Sequence, residues 1–171
     1  MCIRDSDKLG DLILTLPALK IIKASIPDIQ IDLLVDDKFS DIHQITEIID
    51  NVICPQDDLV SKIAARDYDY SISFFSTFNT GYKLWKSNIK KRYAPATKLA
   101  QIFYNKKIEQ NRSSSIKSEY EYNNDMAKFF LKDPVIYQIE TFPPNHHPYV
   151  PLVITYYYTS LHVYILSLIH I

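Results

Sequence analysis

The hydrophobic and polar positions of this chain follow two spacings that take turns from residue 11 to about residue 92. In the segment IQIDLLVD, every second residue from Ile29 to Val35 is apolar, which is the period of a β-strand. In the next segment, KFSDIHQITEIID, apolar residues recur at helical intervals from Phe39 to Ile49. The pattern therefore predicts a strand followed by a helix, joined by a short connection.

The same order continues along the chain. NVIC predicts a short strand, and DDLVSKIAARD predicts a helix with an acidic cap. YDYSISFF predicts another strand, in which Tyr70, Ile72 and Phe74 lie on the same side. TKLAQIFY and SEYEYNNDMAKFF predict later helices, and the second of them places Tyr122 and Met126 on one face with Phe129 and Phe130. Strands that alternate with helices favour an α/β, Rossmann-like parallel sheet with flanking helices.

The segment DKLGDLILTLPALK raises the question of a ligand site, because it holds one of the two glycines of the chain. Gly10 permits a tight turn and a close backbone approach, and Asp11 would lie at the amino end of the helix LILTLPALKIIKAS, where a carboxylate caps free N–H groups. Pro17 would cost that helix a hydrogen bond and kink it. The pattern predicts a strand-to-helix turn, whose first strand we expect to have been lost.

The two ends of the chain differ from the rest. Complementary DNA strands encode MCIRDS and LSLIHI, so we expect residues 1–6 and 166–171 to be translated adapter sequence rather than parts of the fold. Residues 7–131 then form the Rossmann-like domain, and the nature of the uncharged tail 132–165 stays open. We expect the chain to be a piece of a longer protein.

Charge is unevenly distributed in a chain whose formal net charge is only -1. The stretch from Lys83 to Lys117 has 10 basic residues and 1 acidic residue. Such a stretch either attracts anionic ligands or forms a solvated lysine-rich face. Cys54 has no cysteine partner outside the adapter-like ends, so neither a disulfide framework nor a thiolate metal site is expected.

The opening DKLGDLILTLPALKIIKASIPDIQIDLLV, together with YDYSISF and the basic KKRYA, resembles the amino-terminal half of glycosyltransferase family 9, the lipopolysaccharide heptosyltransferases. The matching positions of the opening include Gly10-Asp11, the run Leu16 to Leu19, Pro27 and Ile29. The resemblance implies the amino-terminal half of a bacterial GT-B enzyme with two Rossmann-like domains. The first domain would bind the acceptor, and the second, absent here, would bind the donor ADP-heptose.

The resemblance also implies roles for single residues. Asp11 would be the catalytic base of an inverting transfer without an essential metal. An anionic lipopolysaccharide core acceptor would be bound on the side lined by basic residues and the Gly10 loop. The predicted acceptor-binding residues are Lys8, Gly10, Lys90, Lys91, Arg92 and Lys98. The last four come just after the predicted fourth and fifth strands. A cytoplasmic location follows, compatible with peripheral association with the inner face of the inner membrane. Without the donor domain, we expect the fragment to be inactive alone.

Besides a non-catalytic binding domain, two alternatives remain open from the residues themselves. One is a Rossmann-like nucleotide-binding domain without transferase activity, although the chain has neither a G-x-G-x-x-G motif nor a Walker lysine motif. The other is a nucleic-acid-binding module based on the basic stretch and its tyrosines. The second does not explain the Gly-Asp opening, so no nucleic-acid partner is expected.

Overall fold

The computed structural model of the chain describes residues 4–54, 58–96, 99–134 and 150–155. Within these ranges the α-helices are α1 (Arg4–Ile13), α2 (Leu16–Ser25), α3 (Leu59–Ala64), α4 (Phe78–Lys86) and α5 (Glu119–Leu131). The strands are β1 (Ile29–Leu34), β2 (Asn51–Ile53), β3 (Tyr70–Ser73), β4 (Lys91–Pro95), β5 (Lys106–Ile108) and β6 (Val150–Thr155). Short 3₁₀ helices cover Asp37–Ile45, Leu99–Phe103 and Arg112–Ser114. The predicted alternation of strands and helices is confirmed.

The described strands form one sheet of six strands in the order β2-β1-β6-β3-β4-β5. Every neighbouring pair is parallel. Parallel strands need crossover connections, which helices supply most compactly. Helices α2 and α5 pack together over one face of the sheet, while α3 and α4 contact each other over the other face. The chain therefore has the predicted α/β, Rossmann-like fold.

Each face of the sheet has its own hydrophobic core. Ile29, Ile31 and Leu33 of β1 contribute to the core beneath α2 and α5, whereas Leu34 contributes to the core beneath α3 and α4. The period of two read from this strand is thus confirmed. Burial on both faces is typical of parallel sheets, whose strands are covered by helices on either side.

Strand β6 comes from the tail 132–165 and lies in the middle of the sheet. It pairs with β1 from Ile29↔Val150 to Leu34↔Thr155, and with β3 from Tyr70↔Leu152 to Ser73↔Thr155. In the 3-2-1-4-5-6 order of doubly wound folds, this position belongs to the first strand. The tail therefore occupies the position of the strand that we expected ahead of residue 7. No helix in the described ranges is long and apolar enough to cross a membrane.

The predicted turn at Gly10 is wrong. Gly10 and Asp11 lie inside α1, no glycine in the described residues has a positive φ, and a Cβ added at Gly10 would have no atom within 4 Å. Asp11 lies in the last turn of α1 rather than at the amino end of a helix. The physical reason is that Leu9, Leu12 and Ile13 have helical spacing, which favours a helix over a turn at this position.

The disruption expected at Pro17 takes the form of a break between two helices. The predicted long helix is divided into α1 and α2, and Pro17 lies in the first turn of α2. At that position the missing N–H of proline would have had no partner within the helix. Thr15 links the two helices, since its hydroxyl donates to the carbonyl oxygen of Leu12 over 2.6 Å.

Two predicted helices are 3₁₀ rather than α. The segment after β1 is 3₁₀ from Asp37 to Ile45, and the segment TKLAQIFY is 3₁₀ from Leu99 to Phe103. In the first, apolar residues recur every third position from Phe39, which suits a helix whose i and i+3 side chains eclipse. Period 3 and period 3.6 cannot be distinguished over so short a segment.

Candidate functional site

Arg112 lies in the loop between β5 and α5, at the edge where the parallel strands end. Its Nε and Nη2 donate to Oε1 of Gln110 over 3.1 and 2.9 Å. Its Nη1 donates to Oε2 of Glu119 over 2.5 Å, and Nη2 also donates to Oδ1 of Asn123 over 3.4 Å. The planar fork of a guanidinium suits several acceptors at once. Since the side chain is only 18% exposed, these contacts hold it in one orientation.

Tyr122 and Asn123 connect this arginine to the surrounding chain. The ring of Tyr122 lies 5.4 Å from the guanidinium carbon, and its hydroxyl donates to the carbonyl oxygen of Asn111 over 2.8 Å. Asn123 Nδ2 donates to the carbonyl oxygen of Leu14 over 3.2 Å. Three segments thus meet at one point: helix α5, the loop after β5, and the link between α1 and α2. We name this group the arginine cluster, and it consists of Gln110, Arg112, Glu119, Tyr122 and Asn123.

Asp11 lies within electrostatic range of the arginine cluster. Its carboxylate is close enough for its charge to act on Arg112: burial lowers the pKa of the guanidinium, and the negative charges of Glu119 and Asp11 oppose that shift. Asp11 is exposed. The arrangement is therefore an accessible carboxylate next to a largely buried cation.

A groove of about 530 Å³ lies beside the arginine cluster, between α5 and the segment that follows β5. The groove and the cluster share Gln110 and Tyr122. Its lining also includes Lys117, Lys128 and Lys132. A volume of this size is in the range of small-molecule sites. Glu109 and Asp125 line the groove as well, and Lys117 is paired with Asp125 over 2.6 Å, so the lining has an excess of one positive charge.

Lys90, Lys91 and Arg92 lie at the opposite edge of the sheet from Arg112. Lys91 and Arg92 are the first two residues of β4 and Lys90 precedes them, whereas we predicted that these residues follow a strand. That positional prediction is wrong, because the buried run from Tyr93 to Pro95 makes KRYAP itself a strand. The structure therefore does not bring these three cations together with Asp11.

Each of these three cations has a partner within the chain. Lys91 Nζ lies 2.8 Å from Oδ1 of Asp133, and Lys90 Nζ lies 3.5 Å from Oδ1 of Asp69. Arg92 Nε donates to the carbonyl oxygen of Phe103 over 2.6 Å. An acceptor would compete with these contacts, and the binding role of the three residues stays a prediction.

Asp133 organises a second polar network at that edge of the sheet. Besides Lys91, its buried carboxylate accepts a hydrogen bond from the hydroxyl of Tyr93 over 2.7 Å and lies 3.0 Å from Nζ of Lys106. Burial raises the pKa of Tyr93, and the hydrogen bond to Asp133 raises it further. The network ties the end of α5 to the starts of β4 and β5, which is a structural role.

Two predicted site residues cannot be compared with the structure. The backbone of Lys8 belongs to α1, but its side chain lies outside the described part, and Lys98 lies outside the described residues altogether. Among the residues that are described, no group of three or more His, Cys, Asp or Glu side chains could hold a metal ion.

Sequence reasoning missed the arginine cluster. Arg112 was counted within the basic stretch from Lys83 to Lys117, but no local motif distinguishes it from the lysines around it. The available signal was its place in a polar loop shortly before a well-capped helix, since loops at that edge of a parallel sheet hold ligand sites.

Comparison with curated proteins relates this chain to a longer one. Over 147 residues the chain is 41% identical to a protein of Haemophilus influenzae that has the name "Putative glycosyltransferase". The two proteins are homologous. The similarity covers 81% of this chain and 42% of the relative, so the chain spans less than half of the relative's length. No protein-family model and no solved structure matches the chain.

Proposed function

We propose that this chain is the acceptor-binding part of an inverting glycosyltransferase. Its homology to a protein named as a glycosyltransferase supports the class of reaction, and the Rossmann-like fold is compatible with it. The observation that carries the proposal is the exposed Asp11 within electrostatic range of the largely buried Arg112, which follows β5 at the carboxyl edge of the sheet. Ligands of open α/β sheets bind at this edge.

In the proposed reaction Asp11 acts as the general base. The acceptor hydroxyl gives its proton to the Asp11 carboxylate while its oxygen attacks the anomeric carbon of the sugar. The bond from that carbon to the diphosphate breaks as the new C–O bond forms, and the nucleoside diphosphate leaves with the electron pair. Attack from the opposite side inverts the anomeric centre.

The resemblance to the heptosyltransferases narrows the proposal to an anionic acceptor in the inner core of lipopolysaccharide. The groove beside the arginine cluster supports this, because Lys117, Lys128 and Lys132 line it. Phosphate and carboxylate groups would bind these ammonium groups by charge-assisted hydrogen bonds. Lys8, Gly10, Lys90, Lys91, Arg92 and Lys98 remain the acceptor residues proposed from the resemblance.

The proposed donor is ADP-heptose, bound by a second Rossmann-like domain. The relative is more than twice as long as the region it shares with this chain, which leaves room for such a domain. The described residues here include the proposed base and the proposed acceptor groove. We therefore expect no sugar transfer from a nucleotide donor by this chain alone, and a coupled assay that detected transfer would contradict that expectation.

The proposal is tested in the full-length Haemophilus influenzae homologue, at the residue aligned with Asp11. The change equivalent to Asp11→Asn should lower kcat for acceptor-dependent release of ADP from ADP-heptose by about 10²- to 10⁴-fold, the usual contribution of a general base. The matched control is the change equivalent to Asp67→Asn, at an exposed residue with positive φ that asparagine also tolerates. An unchanged kcat in the Asp11→Asn variant would overturn the assignment.

A further inference from the structure

Apolar side chains are exposed together on α4 and on the 3₁₀ helix Leu99–Phe103. Phe78 and Trp85 of α4 are 54% and 53% exposed, and Tyr82 between them is 40% exposed. Leu99 and Ile102 of the 3₁₀ helix are 75% and 66% exposed. Scattered apolar residues are normal on a protein surface, but contiguous ones mark an interaction site. We name this surface the aromatic face, and it consists of Phe78, Tyr82, Trp85, Leu99, Ile102 and Phe103.

The rings of the aromatic face are held in contact around Phe103. The centroid of its ring lies 4.8 Å from that of Phe78, 5.8 Å from that of Tyr82 and 6.2 Å from that of Trp85. Gly81 permits this packing, because a Cβ added there would lie 3.0 Å from Cβ of Phe103. The surface is therefore ordered before any partner binds, which reduces the cost of association.

Helix α4 has a second apolar side besides the one that it buries. Its buried side includes Leu84 and Gly81, which pack on the rest of the chain. Phe78, Tyr82 and Trp85 follow one another at positions i, i+4 and i+7, the spacing with which one helix packs against another. A partner that presents a helix thus fits the aromatic face.

The exposed stripe is self-complementary about Tyr82, the middle residue of α4. Phe78 and Trp85 lie about one helical turn to either side of it. If a two-fold axis through Tyr82 paired α4 antiparallel with the same helix of a second copy, Phe78 of each copy would lie next to Trp85 of the other. An interface between identical subunits requires this reciprocity, because residue i contacts residue j and residue j contacts residue i.

The apolar area suits the centre of such an interface. A whole aromatic side chain has about 150–250 Å², so the exposed fractions of the five most exposed members correspond to roughly 100 Å² each, or about 500 Å² per copy. A standard interface buries about 800 Å² per partner, and homodimer interfaces are about 65% apolar. The aromatic face therefore supplies the apolar part of one dimer interface.

The lysines of α4 do not oppose one another in the antiparallel pair. Lys83 lines a small cavity between α3 and α4, so it lies to one side of the stripe. Lys86 is the last residue of α4, and its Nζ lies 6.0 Å from the centroid of the Tyr82 ring. The two copies of Lys86 would be about 12 Å apart along the helix axis, which exceeds the Debye length of about 8 Å at physiological salt.

We propose that the aromatic face is the interface of a homodimer, in which α4 packs antiparallel against α4 of a second copy of this chain. Leu99 and Ile102 of each copy border the paired helices and cover the rings from water. A second copy brings the same apolar area and the same helical stripe, so no other component is needed. This inference goes beyond the proposed sugar transfer and does not depend on it.

The test is sedimentation equilibrium of the intact chain over a range of concentrations. We expect a reversible change from monomer to dimer within about 1–100 μM, the affinity of a small interface. Trp85 is the single tryptophan of the chain, so its emission reports on the aromatic face directly. It should shift to the red on dilution with the same midpoint as the mass. High salt should not weaken the dimer, because apolar contacts are not screened.

Variants separate this interface from general hydrophobicity. The double change Leu99→Ser and Ile102→Ser should raise the dissociation constant of the dimer about tenfold or more, while circular dichroism and the urea midpoint show that the fold is kept. Ile116→Ser is the matched control, because Ile116 is 80% exposed and lies outside the aromatic face.

Three results would each overturn the proposal. They are a chain that stays monomeric throughout the range, whether or not it binds another partner, a dimer that forms without a change in Trp85 emission, and an equal loss of association in the Ile116→Ser variant. None of these outcomes involves sugar transfer, so a failure here is distinguishable from a failure of the proposed function.

Discussion

The carboxylate of Asp11 lies within electrostatic range of the guanidinium of Arg112, although the two residues are far apart in the sequence. Three segments meet to create this pair: the end of α1, the loop after β5, and the amino-terminal half of α5. The same contacts give Arg112 its orientation and limit its exposure. The stability of the site and the proposed chemistry are therefore linked through one side chain.

Replacement of Arg112 by glutamine should lower the free energy of unfolding by about 2 kcal/mol, the range for hydrogen bonds made by a charged group. The buried amide of Asn123 and the side chain of Gln110 would lose their donor. Urea unfolding at neutral pH measures the change. Lys117→Gln is the control, because its ion pair with Asp125 is solvent-exposed and such pairs contribute little. Equal effects of the two substitutions would contradict the structural role of Arg112.

The two glycines should respond in opposite directions to alanine. Gly10→Ala should raise the stability by about 0.5–1 kcal/mol, because Gly10 lies in a helix with open space around its Cα. Gly81→Ala should lower it by about 1–3 kcal/mol, the usual cost of overpacking, because the new methyl meets Phe103 and Tyr104. Thermal unfolding of both variants is the measurement. A strong loss of stability in Gly10→Ala would favour the tight turn over the helix.

The start of α5 predicts a specific pH dependence. The side chain of Glu121 accepts hydrogen bonds from the backbone N–H and hydroxyl of Ser118, and these bonds lower its pKa in the folded state. A lowered folded pKa contributes stability that is present above the unfolded pKa and is lost as the pH falls through the folded value.

Glu121→Gln should therefore be less stable than the parent at pH 7, and the difference should shrink from about pH 5 downward. Denaturant midpoints at several pH values measure this difference. Ser118→Ala should cost about 1 kcal/mol by loss of the cap. Glu47→Gln, at an exposed residue, serves as the control. A difference between parent and Glu121→Gln that stays constant down to pH 3 would contradict the capping interaction.

The network around Asp133 should contribute more to stability than the exposed pair of Lys90 and Asp69. Asp133→Asn should lower the free energy of unfolding by about 1–3 kcal/mol, because Lys91, Lys106 and Tyr93 lose a buried carboxylate. Lys90→Gln should change it by less than about 1 kcal/mol. The two values come from the same urea titration. Comparable values would show that the buried network is not a structural anchor.

The sequence predicted the parts of this fold that depend on local pattern. Strand β1 and helix α5 have strong periods of two and 3.6, so both elements and their buried faces could be predicted. The short 3₁₀ helices could not be distinguished from α-helices. Helix α1 was not predicted, because its Gly-Asp pair is also typical of a turn. Strand β6 has no local signal beyond an uncharged run, because its place in the sheet depends on an open position between β1 and β3.

Of the two residues at the centre of the candidate site, only Asp11 was predicted from the sequence. Asp11 was found from its resemblance to a known opening, whereas Arg112 was found only through contacts between distant segments. Lys90, Lys91 and Arg92 were predicted to bind the acceptor because basic residues are dense there. The order of charges along a chain does not show at which edge of a sheet a residue will lie. Here their strand begins at that point, which places them away from Asp11.

The most direct test is an NMR titration of the intact chain with a phosphorylated oligosaccharide from the lipopolysaccharide inner core. The account predicts saturable shifts centred on amides of residues 108–125 and around Asp11. It also predicts at least tenfold weaker binding in the Lys128→Gln variant, the order expected for loss of a charge-assisted contact, because Lys128 lines the groove. No saturable shift, or shifts confined to residues 90–92 at the opposite edge of the sheet, would contradict the proposed acceptor site.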